Sequence, residues 1–268
     1  MKNQIKLFLI FNIFAQASVA TANEKIGVGG LALPPVFSNK AKDTLIDVSK
    51  SLIPSQKSLK EVSKKFKNGD VIFIRSTSMQ SKALEEVTGS KWTHVGILFR
   101  VNILKNGKAV LLADKADPQG GQWVVYEAGP RVRFNPVDNF VGKKAFAVQR
   151  PQKELNSEQV EKMFSVALTR LGRPYDIYFL LSHDGITRDD AEYCSELVWY
   201  VYAKAIGLQL GYQVQIASQK LSGPEAQKLI KDRLGRKSSP LSVDKWKQQY
   251  VIPPEAQFLS PHLIRIDQ

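Results

Sequence analysis

The stretch THVGILFRV, residues 93–101, alternates strictly. His94, Gly96 and Leu98 fall on one face and Val95, Ile97 and Phe99 on the other, the period of two that marks a β-strand. A glycine beside the histidine leaves room for a neighbouring backbone or for substrate. The surrounding sequence repeats the pattern. DVIFIRS (70–76) follows an Asn-Gly pair, AVLLAD (109–114) and WVVYEA (123–128) flank a loop with Gly120 and Gly121, and KAFAVQR (144–150) closes the series. Each is short, β-rich and bounded by turn residues. Between the first two strands, MQSKALEEVTGS is expected to be a helix stopped at Gly89.

After Pro151 the period changes. In NSEQVEKMFSVALTRLG, Asn156 or Ser157 caps a helix, and Gln159 completes an Asn-x-x-Gln box. Val160, Met163, Phe164, Ala167, Leu168 and Leu171 form its apolar stripe, and Gly172 with Pro174 ends it. The loop RPYDIYFLLSHDGITRDD leads to a second helix, expected to start at Asp189 or Asp190 and to stop at Gly207. GPEAQKLIKDRLG (223–235) predicts a basic helix, read as an appendage, and PHLIRI (261–266) a final edge strand. Antiparallel strands on short connections, with helices grouped at the ends, predict an α+β fold.

The second helix carries Cys194, the only cysteine in 268 residues. Leu197, Val198, Val201 and Ala205 share its face, so the thiol points inward. A core cysteine is ordinarily a small hydrophobe. Here it lies near a helix N-terminus, whose partial positive charge favours a thiolate, and it is flanked by the polar Tyr193, Ser195 and Glu196. A thiolate mechanism needs an imidazole and a group that orients it. His94 is the candidate base. Glu127, an acid ending the apolar strand WVVYEA, is the candidate orienting group. His183 and His262 are expected to be structural.

The N-terminus differs from the rest. Lys2 and Lys6 precede an apolar run from Leu7 to Phe14, and Ala20-Thr21-Ala22 fits a cleavage site. Residues 1–22 therefore predict a signal peptide cleaved near Ala22, with a periplasmic or secreted product. No cysteine follows the run, so no lipoprotein attachment is expected. Residues 23–68 are a mixed lead-in without recognisable chemistry, and 69–268 the catalytic domain, with its basic segment near 220–240. The formal net charge is +13, or +11 without Lys2 and Lys6, while mean hydropathy is −0.21 and hydrophobic content 43%. This is an ordinary globular balance with an excess of cations suited to anionic envelope surfaces. Export argues against nucleic acid. KSLKEVSKKFK (57–67) and KLIKDRLGRK (228–237) mix acids with bases as solvated helix faces do. A lone cysteine allows no internal disulfide, and three dispersed histidines without a ligand motif predict no metal site and no cofactor.

The segments GDVIFIRS, WTHVGILF and VVYEAGP, followed by LGRPYDIYF and YCSELVWYVYAKAIG, together resemble the NlpC/P60 superfamily of papain-like cysteine hydrolases. They look most like its circularly permuted YiiX/YebB/YaeF group, because His94 precedes Cys194. The resemblance covers roughly residues 69–207. It implies an antiparallel sheet packed against the cysteine helix, with Cys194 as nucleophile, His94 as base and then acid, and Glu127 as third member. Tyr175, in GRPYD, matches a tyrosine beside the nucleophile and is implied as an oxyanion donor or pocket wall. The expected substrate is an amide, in cell-wall peptide. The alternatives are an acyl group on a lipid or lipid-linked substrate, hydrolysed or transferred, with IYFLL (177–181) lining an acyl pocket, or a binding protein without catalysis.

Overall fold

The computed structural model describes residues 55, 57–105, 107–114, 120–181, 190–236, 239 and 241–268. The expected signal peptide, the lead-in up to residue 54, His183 and Asp189 lie outside the described residues. Among the described residues no helix is long and apolar enough to cross a membrane.

The elements run in chain order as helix α1 (Leu59–Val62), strand β1 (Val71–Ile74), α2 (Met79–Thr88), β2 (His94–Ile103), β3 (Ala109–Leu111), β4 (Gln122–Ala128) and β5 (Val132–Pro136). There follow α3 (Val137–Val141), β6 (Phe146–Pro151), α4 (Ser157–Leu168), α5 (Cys194–Ile206), β7 (Val214–Gln215) and α6 (Pro224–Leu234). The chain ends with α7 (Val243–Lys247), β8 (Tyr250–Val251), α8 (Pro254–Phe258) and β9 (Leu263–Arg265). Seven strands form one antiparallel sheet in the order β5-β4-β2-β1-β6-β9, with β3 paired to the far end of β2. This is the α+β arrangement expected, and β9 is its edge strand.

Both faces of the sheet are covered, which explains why β1 is apolar throughout and fully buried. On one face α4 and α5 pack over Val95, Ile97 and Phe99 of β2 and Val71 and Phe73 of β1. On the other, Val62 and Phe66 from the lead-in and Val137, Phe140 and Val141 of α3 cover Ile72, Ile74, Leu98 and Val125. β7 and β8 pair separately.

The capping box of α4 forms as predicted. Asn156 Oδ1 accepts from the Gln159 N–H at 2.9 Å, and Gln159 Oε1 from the Asn156 N–H at 3.1 Å. Such a cap is worth about 1 kcal/mol. Val160, Met163, Phe164 and Ala167 are buried, but Leu168 and Leu171 are exposed, because the helix ends at Leu168 and the stripe loses its period there. Gly89 closes α2 in the left-handed conformation expected of it.

Two elements depart from the sequence reading. α5 begins at Cys194, not at Asp189 or Asp190. Residues before it stay extended because Tyr175 and Glu192 form a parallel bridge, with the Glu192 N–H donating to Pro174 O and the Asp176 N–H to Glu192 O, both at 3.0 Å. The basic helix α6 is docked along α2, with Ala226, Leu229 and Leu234 buried.

Candidate active site

Cys194 is the first residue of α5, so its N–H has no acceptor within the helix. Glu196 Oε2 accepts from the Tyr193 N–H at 3.4 Å and closes the helix start. Upstream, Arg170 and Arg173 hold the Glu192 carboxylate at 2.9 and 3.3 Å. The polar residues flanking Cys194 have structural work. Ser195 Oγ donates to Ile252 O at 2.6 Å, the Ile252 N–H donates to Tyr193 Oη at 3.0 Å, and Gln257 Nε2 donates to Ser195 O at 2.8 Å. Together they clamp the helix start to the 252–257 segment.

The thiol is 2% exposed and packs with the α4/α5 core. His94 opens β2 and belongs to the opposite face of the sheet, where its ring lies 5.4 Å from that of Phe140. Sulfur and one side of the imidazole face each other at the strand end, beside the Val95 N–H, and each stabilises the charged form of the other. The other ring nitrogen, Nε2, is 2.6 Å from Glu127 Oε2. Since Nε2 serves Glu127, Nδ1 is the nitrogen left for the thiol. The ring retains 17% side-chain exposure, against 5% for Glu127.

Glu127 is fixed from the adjacent strand. Its Oε1 accepts from Arg133 Nε at 3.1 Å, Arg133 Nη2 at 2.9 Å and Asn135 Nδ2 at 2.8 Å. Arg133 is its direct cross-strand partner, and Asn135 lies two residues further along β5.

The charges follow from these contacts. Burial disfavours an imidazolium, but the hydrogen bond and charge of Cys194, then those of Glu127, outweigh it and raise His94 from 6.5 to about 10. Burial likewise works against a thiolate, yet the neighbouring His94 outweighs it and brings Cys194 below its ordinary value. For Glu127, burial is again overcome, by His94 and then Arg133 and Asn135, and the carboxyl falls to about 2. All three shifts favour the charged forms: thiolate, imidazolium and carboxylate.

Tyr175 is the bridge partner of Glu192, two residues before Cys194, and packs against Phe179, ring to ring at 6.3 Å. Its hydroxyl accepts from Gln80 Nε2 at 2.6 Å. Burial, then the charge at Cys194, push the phenol well above its usual range and keep it protonated. Phe179 and Leu180 of IYFLL are buried, the first against Tyr193 and the second in the cluster of Trp246 and Leu241. His262 is exposed at the surface, away from these groups. Arg133, Asn135, Gln80 and Arg233, described below, were not singled out from sequence.

A thiol at a helix start, facing a histidine on an antiparallel strand, is a papain-like arrangement, met here with the histidine first in the chain. A family model described as the permuted papain-like amidase enzyme, YaeF/YiiX, C92 family, matches residues 65–266, and the chain belongs to that family. It is therefore an enzyme of the papain-like amidase or peptidase type. The chain is 33% identical over 201 residues to a protein of Escherichia coli (strain K12) named uncharacterized protein YiiX, covering 74% of this chain and 84% of that one. It is also similar to the crystal structure of metalloprotein yiiX from Escherichia coli O157:H7, with a TM-score of 0.58, 32% identity and coverage of 74% of this chain and 95% of that one.

Proposed function

We propose that the chain is an exported cysteine amidase acting through Cys194, His94 and Glu127, with cell-wall peptide as its substrate. The observation that carries the reading is the hydrogen-bonded line from His94 Nε2 through Glu127 to Arg133 and Asn135, set beside the Cys194 thiol at a helix start.

The Cys194 thiolate adds to the amide carbonyl carbon, and the carbonyl electrons move to oxygen. The Cys194 N–H, directed out of the helix start, donates to that oxyanion, a contact typically worth about 2.7–4 kcal/mol in the transition state. The His94 imidazolium gives its proton to the departing nitrogen, and the C–N bond breaks to leave a thioester. Water then adds to the thioester with its proton passing to His94, and the thiolate leaves. Glu127 holds the ring orientation and the imidazolium charge throughout.

The described similarity to a metalloprotein raises the question of a metal here. Among the described residues no group of three His, Cys, Asp or Glu side chains has an arrangement that could hold a metal ion. His94 Nε2 is taken up by Glu127, whose other oxygen is held by Arg133 and Asn135, so these residues do not fit a metal centre and no step is routed through one.

Export is supported by the leader-like residues 1–22, and anionic envelope polymer by the charge of the chain. The alternative of a lipid acyl substrate loses its sequence argument, because Phe179 and Leu180 are spent on internal packing. The test is incubation of the protein and its C194A variant with purified peptidoglycan and with membrane lipids, following products by mass spectrometry. Peptide fragments released only by the wild type support the proposal. Products from lipids alone contradict the substrate, and products from C194A contradict the mechanism.

A further inference from the structure

The basic helix α6 is tied to the segment before Cys194 through one side chain. Arg233, in its last turn, donates from Nη2 to Gln80 Oε1 at 2.7 Å and from Nη1 to Ile177 O at 2.5 Å. Its guanidinium lies 4.7 Å over the Phe179 ring. Gln80, at the start of α2, in turn donates from Nε2 to Tyr175 Oη. Three elements far apart in the chain thus form one line: α6, α2 and the segment leading to Cys194.

The line has a direction, and the chemistry of its members fixes it. A guanidinium only donates. The Gln80 amide must therefore turn its carbonyl to Arg233, which leaves its NH2 for Tyr175. An amide NH2 also only donates, so the Tyr175 oxygen accepts and its single proton is free to go elsewhere. Without Arg233, the amide could rotate by half a turn and take that proton with its own oxygen. The arginine removes this second polarity. It is half-buried, and burial itself weakens its hold on its proton, so the position is costly for a side chain with no task. The cation also favours negative charge near Tyr175.

We propose that Arg233 and Gln80 are positioning residues that fix the Tyr175 hydroxyl as a donor to the oxyanion formed at Cys194. The inference rests on the reading of Cys194 as nucleophile. It gives the helix α6 a part in the reaction and assigns Tyr175 the donor role rather than that of a pocket wall.

Two reagents separate this role from a structural one. p-Nitrophenyl acetate acylates a thiolate through a tetrahedral oxyanion, forming the S–C bond and expelling p-nitrophenolate. Iodoacetamide alkylates the same sulfur by displacing iodide and forms no oxyanion. In Gln80→Glu the carboxylate still accepts from Arg233 but also accepts the Tyr175 proton. Acylation of Q80E should fall about 10²-fold, the typical effect of losing one oxyanion donor, while alkylation stays within about twofold of the wild type. Y175F should show the same split, Q80E/Y175F should be no slower than Y175F, and R233M should show a smaller loss in acylation alone. Wild-type acylation in Q80E would overturn the proposal, as would parallel losses with both reagents or additive losses in the double variant. Acylation that persists in C194A would instead overturn the nucleophile, and this proposal with it.

Discussion

His94 and Glu127 meet at 2.6 Å without standing opposite each other in the sheet. The register pairs Ile97 with Tyr126, so one further step sets Glu127 opposite Gly96, and His94 lies two residues along on the same face. The contact is diagonal and crosses the position that has no side chain. Glycine thereby does for this site what no other residue could, since it lets the two strands close while the carboxylate reaches the ring.

Gly96→Ala follows directly. A Cβ there would lie 2.4 Å from Val125 Cγ1 and 2.7 Å from Tyr126 O. Backbone must move, and overpacking of this kind costs about 1–3 kcal/mol. The expected result is a lower denaturant midpoint together with slower iodoacetamide labelling of Cys194. Unchanged values of both would show that the strand spacing is not set at this residue.

Glu127→Gln tests the carboxylate through the pH dependence of stability. The raised value of His94 adds stability that is complete below 6.5 and lost as pH rises through about 10. The depressed value of Glu127 adds stability that is present above 4.5 and lost as pH falls through about 2. The gap between wild type and E127Q should be widest between 4.5 and 6.5 and narrow towards both extremes. Its size is on the order of 2 kcal/mol, less than for a fully buried pair because Arg133 is half-exposed. Urea titrations across this range measure it, and a pH-independent gap would contradict the charge assignment.

Glu86→Ala addresses the docking of α6. Glu86, on α2, accepts from the Ala226 N–H at 2.8 Å and satisfies a first-turn donor of α6. Its loss should cost about 1 kcal/mol, as for other helix caps. Thermal unfolding and tryptic cleavage within α6 report it. No change in either would show that α6 is held by its apolar side chains alone.

The legible part of this molecule was the part with a local period. β2, β4 and α4 announce themselves by alternation or by a capped stripe, and the inward face of α5 placed Cys194. β5 has no such period, because RVRFNP follows Pro130 and itself ends in Pro136. Only the fold shows that Arg133 and Asn135 share the face of Glu127. The start of α5 was misplaced because Asp189 and Asp190 resemble caps, whereas the bridge between Tyr175 and Glu192 holds the chain extended to Tyr193. The partners of Tyr175 had no local signal at all. Gln80 is 95 residues from Tyr175, and Arg233 is 153 from Gln80.

The central claim is that His94 keeps Cys194 ionised. Its most direct measurement is the rate of Cys194 alkylation by iodoacetamide as a function of pH, in the wild type and in His94→Asn. The wild-type profile should rise at lower pH than that of the variant, because His94 holds the thiol below its ordinary value. H94N should rise about tenfold per pH unit towards the value of an ordinary thiol, near 8.5. Two superimposable profiles, both rising as an ordinary thiol does, would contradict the account.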